Sequence, residues 1–146
     1  MSLRITKIDG RQQAFDADKI NQAIAAASVG LPDQSAKIMQ IASETQLTLY
    51  DGITTKELDQ AVINATVQNI KDDPDFDIIA ARLLLKLLYK EVLGDFEDSA
   101  DLERQHRDGF LTYVENGIAE NLLSPDLKVF DHKKLAAALD LSRDTL

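Results

Sequence analysis

Two short β-prone runs meet at Asp9-Gly10, and an aspartate-started helix follows within a few residues. Residues 3–7 and 12–15 read as strands around that dipeptide, which favours a tight hairpin turn because glycine takes positive φ without a Cβ clash. Asp16 is a good N-cap for a helix opening near Ala17, whose Ile20, Ala23, Ile24 and Ala27 recur on one face. A hairpin feeding directly into a helix N-terminus restricts the fold to those in which a small sheet lies over helices.

The next seventy residues supply those helices, separated by breakers. Gly30 stops the first and Pro32 prevents its resumption. A second starts at Asp33 or Ser35 and carries Ile38, Ile41, Ala42, Thr45 and Leu49, with Asp51-Gly52 as its end. Thr54 and Glu57 have capping-box spacing, and Leu58, Ala61, Val62 and Ala65 follow at helical period. Asp72-Asp73-Pro74 ends that third helix. The fourth runs from about Asp75 to Leu93 with Phe76, Ile79, Ala80, Leu83, Leu84, Leu87 and Leu88 on a wide apolar face, and Gly94 closes it. Connections of roughly three to six residues suit a small bundle. The expected fold is mainly α (α+β): a four-helix bundle capped by a short β-hairpin or three-stranded sheet, followed by additional helices.

Beyond Gly94 the composition changes. Residues 95–108 are acidic and nearly free of apolar side chains. A boundary is expected there, giving a first domain over residues 1–94 and a helical linker over 95–146. Helices are expected around Ala100–Glu120 and His132–Leu139, separated by a loop at Ser124-Pro125-Asp126. The chain stops after Asp144-Thr145-Leu146 without a closing element, as the front of a longer protein would.

Charge and composition narrow the function classes. At 146 residues the chain can bury roughly 70% of its extended surface, enough for one core. A net charge of −9 argues against nucleic-acid and anionic-membrane partners, whose phosphates it repels on average. The first nineteen residues are the exception, with Arg4, Lys7, Arg11 and Lys19 against Asp9, Asp16 and Asp18. Two ammonium groups, a hairpin edge and a helix N-terminus at one place are parts of a phosphate-binding lid. There are no cysteines, which removes disulfides, thiolate catalysis and zinc ribbons, and fits a reducing, cytoplasmic setting. No secretory leader is visible, and the apolar stretch from Ile78 to Leu93 contains Arg82, Lys86 and Lys90, as a core helix does. His106 and His132 lack metal-ligand spacing, and the carboxylates show no pairing that commits them to acid–base catalysis.

At this point the residues match a known pattern. Lys7-x-Asp9-Gly10, then Phe15-Asp16-x-x-Lys19-Ile20, later Gly52-Ile53-Thr54-Thr55-x-Glu57-Leu58-Asp59, Pro74-Asp75-Phe76-x-x-Ile79, Ala80-Ala81-Arg82-Leu83 and Tyr89-Lys90-Glu91 resemble the ATP-cone. This is the nucleotide-binding regulatory domain at the N-terminus of ribonucleotide reductase large subunits. The resemblance covers about residues 3–94 in unbroken order. Phe110-Leu111-Thr112-Tyr113-Val114, Asn121-Leu122-Leu123, Phe130-Asp131 and Arg143-Asp144 look like the stretch that joins the cone to the catalytic barrel.

The resemblance implies a site. Lys7 on the first strand and Lys19 in the first helix would meet the triphosphate, with Lys90 of the fourth helix as a further cation. Gln13, Phe15 and Asp16 would line base and sugar, and Thr55 and Asp59 would face the adenine. Ile8 occupies a place that is basic in many family members, with Arg11 across the turn as a substitute. The implied effectors are ATP and dATP, with Mg²⁺ accompanying the nucleotide. Implied partners are the catalytic barrel of the parent chain, the reductase small subunit and further copies in an oligomer. The parent would reduce ribonucleotides by radical chemistry that needs cysteines, so this stretch alone would sense rather than catalyse. Its alternatives are a degenerate cone serving as a structural or subunit-contact module, a cone-containing DNA-binding repressor, and the anaerobic reductase. The repressor is opposed by the absent zinc ribbon and the acidic charge; the anaerobic enzyme is opposed by the tail after Gly94.

Overall fold

The computed structural model describes residues 3–96 and 98–144. The chain packs as two compact units, Met1–Leu88 and Tyr89–Leu146. The first holds strands β1 (Arg4–Thr6) and β2 (Gln12–Ala14), helices α1 (Ala17–Ala27), α2 (Gln34–Gln46) and α3 (Thr55–Gln68), and most of α4 (Asp75–Leu93). The second holds the last turn of α4, then α5 (Ser99–Ala119) and α6 (His132–Ala137), with 3-10 turns at Pro125–Val129 and Leu141–Arg143.

The helix boundaries follow the local chemistry. Asp16 caps α1 by accepting from Asp18 N at 3.0 Å. Thr54 and Glu57 form the full reciprocal capping box at the start of α3. Gly30, Gly52 and Gly94 all take positive φ, the conformation that leaves a helix or enters a turn at no Cβ cost. α2 departs from expectation. Asp33 stands before it at φ 51 with no side-chain cap, and the helix ends at Gln46, leaving Leu49 outside but still packed on the core.

The sheet is smaller than the largest expectation. β1 and β2 pair antiparallel with Arg4 opposite Ala14, Ile5 opposite Gln13 and Thr6 opposite Gln12. In place of a third strand, Thr54 makes a single parallel bridge to Thr6, because α3 begins at the next residue. The turn at Asp9-Gly10 is of the bulged kind. Lys7 O accepts from Gly10 N at 2.9 Å, so Ile8 and Asp9 are the central pair and Gly10, at φ 81, follows as the bulge residue.

One core joins all four helices of the first unit. Ile24, Ile41, Ile53 and Ile79 are buried to 2% exposure or less, and Ile20, Leu58, Val62, Phe76, Leu83 and Leu87 complete the cluster. Each such side chain stabilises the fold by about 1.5–3 kcal/mol relative to exposure. Leu84 and Leu88 of α4 were expected on this face, but 45% and 46% of their surfaces remain exposed; the core takes only the Phe76–Ile79–Leu83–Leu87 stripe.

Two polar contacts lock helix ends that the apolar pattern does not reach. Arg82 of α4 donates to Ala27 O and Val29 O at 3.0 and 2.8 Å, placing a cation on the C-terminal carbonyls of α1. Lys37 of α2 is only 5% exposed, with its ammonium 3.0 Å from Asp73 and 3.1 Å from Asp75 and donating to Pro32 O at 2.8 Å. Burial works against that charge, but hydrogen bonds to both aspartates outweigh it and raise the Lys37 pKa.

In the second unit, α5 and α6 pack through Val114, Ile118 and Ala136, and Gly117 leaves no room for a Cβ beside Leu123. Tyr89 donates to Asp144 at 2.5 Å and meets the His106 ring edge-on at 6.3 Å. Burial, seconded by that hydrogen bond, pushes the phenol up from its ordinary range.

Candidate functional site

β1 is fastened to the segment that starts α3. Thr6 N donates to Ile53 O at 2.9 Å, Gly52 N to Arg4 O at 2.9 Å, and Thr6 Oγ1 to Gly52 O at 3.0 Å. Arg4 adds a side-chain clamp, its Nη2 2.8 Å and its Nε 3.3 Å from the two oxygens of Asp51, while Arg4 N donates to Asp51 Oδ1 at 2.9 Å. That side-chain hydrogen bond, with the backbone one behind it, holds the Asp51 carboxyl below the usual carboxylate range. Thr55 Oγ1 reaches back to Thr6 O at 3.4 Å.

These bonds decide which expected residues meet. Lys7 follows Thr6 directly, so it leaves β1 beside the first turn of α3, where Thr55 is the first helical residue and Asp59 lies one turn on. Lys7, Thr55 and Asp59 are all half-buried. Gln13 is exposed opposite Ile5, and Phe15, whose N–H donates to Leu3 O at 2.8 Å, packs half-buried on the core. Asp16 and Lys19 are exposed on the first turn of α1. The β1–β2 pairing therefore puts the start of α1 and the start of α3 on the two sides of one hairpin.

Some expected groups are already engaged. The Asp16 carboxylate occupies the Asp18 N–H of the α1 terminus, so attraction for an anion there falls chiefly on Lys19. Arg11 was the expected substitute for a basic residue at position 8. Its Nε donates to Asp9 at 2.6 Å and its N–H to the same carboxylate at 3.0 Å, so its charge is spent within the turn. Ile8 stands at the tip, 85% exposed. Lys90 lies in the last turn of α4, within the second unit.

Comparison with known proteins identifies this arrangement. The family model described as the ATP cone domain matches residues 3–91. The chain belongs to the ATP-cone family. It is similar to the ribonucleoside-diphosphate reductase subunit alpha of Chlamydia trachomatis serovar D, 43% identical over 95 residues, which are 65% of this chain and 9% of that protein. It is also similar to the ribonucleoside-diphosphate reductase 1 subunit alpha of Escherichia coli K12, 32% identical over 144 residues, 98% of this chain and 18% of that one. The Haemophilus influenzae subunit alpha is 37% identical over 97 residues, 66% of this chain and 13% of its own length. This cone chain thus spans less than a fifth of the curated relatives it matches.

Sequence reasoning missed the clamp that positions the cone's hairpin. Arg4 was counted only as charge and Asp51 only as a helix breaker. The one available signal was an acid directly before the Gly52 turn and a base at the strand start, and nothing local couples residues 47 apart in the chain.

Proposed function

We propose that the first unit is an allosteric sensor of ATP and dATP, and that its parent is a ribonucleoside-diphosphate reductase large subunit whose activity it regulates. The observation that carries this reading is the β1–α3 fastening, which ties the strand leading into Lys7 to the start of the helix that carries Thr55 and Asp59, in a chain of the ATP-cone family. In this reading Lys7 and Lys19 hold the phosphates from two elements, and Gln13, Phe15 and Asp16 line the base and sugar. Thr55 and Asp59 accept from the adenine amino group. Ile8 contributes an apolar tip where a cation would serve phosphate better. The proposed site is confined to the first unit, and Lys90 lies in the second.

The fold belongs to the same reading: α1–α4 act as a four-helix cone and the hairpin as its lid. Among the described residues no group of three or more histidine, cysteine or acidic side chains is arranged to hold a metal ion. In this reading Mg²⁺ accompanies the nucleotide. Regulation requires ATP and dATP to stabilise different states, since equal affinity for both shifts nothing. The reductase's barrel, its small subunit and further copies of the chain are the proposed partners through which the states differ, in the cytoplasm. Among the described residues no helix is long and apolar enough to cross a membrane.

Calorimetric titration of the chain with ATP and with dATP tests the reading. Saturable heat with both, reduced by Lys7→Ala and by Lys19→Ala, supports a sensor. Absence of heat with either nucleotide would leave the degenerate, purely structural cone.

A further inference from the structure

A groove of about 360 Å³ lies between α2 and α3, and none of the proposed nucleotide-site residues lines it. Its deepest members are Ile53, 2% exposed, and Ala65, 6% exposed; Ala61 is half-buried beside them. Small side chains one turn apart leave a shallow apolar floor on which a methylene chain can lie. Glu44 and Glu57 bring carboxylates to the same space, and Tyr50 keeps 53% of its surface open there.

Both carboxylates are oriented in advance. Glu44 accepts from Asn69 Nδ2 at 2.7 Å, and Asn69, 5% exposed, is itself anchored to Ala65 O at 2.8 Å. Glu57 accepts from Thr54 N at 2.9 Å and Thr54 Oγ1 at 2.7 Å. Those donors are amides and hydroxyls, so they fix the direction of the negative charge without neutralising it. The hydrogen bonds from Thr54 keep the Glu57 carboxyl below its ordinary range.

We propose that this groove is the docking site for an arginine side chain of a partner protein segment. Its methylenes would lie on Ile53 and Ala61, and its guanidinium would sit over the Tyr50 ring between the two carboxylates. Arginine fits better than lysine because its planar fork both stacks on an aromatic face and pairs with a carboxylate through two N–H groups. Charge complementarity selects the partner, since a chain at −9 repels an acidic segment and attracts a basic one.

The test is an amide-NMR titration of the whole chain with acetyl-Ala-Arg-Ala-amide, alongside its lysine and citrulline counterparts. The arginine peptide should give saturable shifts within residues 44–68, with a midpoint of order ~1 mM. The uncharged citrulline peptide should bind about fivefold or more weakly, and the lysine peptide should also be weaker. Ala61→Leu, which fills the floor, should abolish the shifts. The pair Glu44→Gln and Glu57→Gln should weaken binding about fivefold, and glutamine keeps the capping-box acceptor, so the fold survives. The proposal is overturned by equal binding of the lysine or citrulline peptide, by shifts that survive Ala61→Leu, or by equal shifts in the acidic residues 95–104. Failure to saturate by about 50 mM overturns it too. None of these outcomes depends on whether ATP binds.

Discussion

Lys7 leaves β1 one residue after the hydrogen bond that ties Thr6 to Ile53, so its backbone is fixed while its side chain is half-buried and outside the core cluster. Lys19 stands free of the core on the first turn of α1. Replacing either by alanine should lower ATP affinity by about 10- to 100-fold, the worth of one charged contact. The unfolding midpoint should move by less than about 2 °C, because neither side chain is part of the core. Ile8 permits the opposite experiment. It is 85% exposed at the turn tip, so Ile8→Lys removes no packing and adds a cation where Arg11 is occupied by Asp9. That variant should bind ATP about 3- to 10-fold more tightly by calorimetry, with the gain shrinking in high salt.

At the scale of elements, the start of α3 serves both fold and site. Thr54→Ala removes half of the capping box and should cost about 1 kcal/mol in denaturant unfolding. It should also weaken ATP binding, since Thr55 and Asp59 hang from the turn that frays. Ile53→Ala, beneath the same turn, should cost about 2–4 kcal/mol. The helices, their caps at Asp16 and Thr54, and the Gly30, Gly52 and Gly94 breaks were legible because each depends on residues within one turn of the chain. The β1–α3 fastening, the Arg82 cap on α1 and the Lys37 ion pairs were not, since their partners lie between 36 and 55 residues away and follow no period. The type of the Asp9-Gly10 turn was not legible for a related reason. Asp-Gly is compatible both with a two-residue turn and with a bulge after it, and only the Lys7–Arg11 backbone bond at 2.8 Å decides between them. The residues proposed for the site came from the family pattern, whereas the bonds that tie β1 to the start of α3 were not legible in the sequence.

For the whole molecule, acid is the informative perturbation. Asp9, Asp51, Glu57 and Asp73 are each held below their ordinary values of 3.8 for aspartate and 4.5 for glutamate by hydrogen bonds made in the folded state. A depressed carboxyl contributes stability that is complete above its unfolded value and is lost as the pH falls through its folded one. Thermal melts should therefore be flat near neutral pH and fall from about pH 4.5 downward. Asp51→Asn, which removes the Arg4 clamp, should lower the midpoint at pH 7 and flatten that acid slope. The most direct measurement is calorimetric titration of the intact chain with ATP and dATP, run in parallel on Lys7→Ala and Lys19→Ala. A phosphate lid built on β1 and α1 predicts saturable heat with both nucleotides, and affinity at least about tenfold lower in each variant. Silence with both nucleotides, or binding that neither substitution weakens, would contradict it.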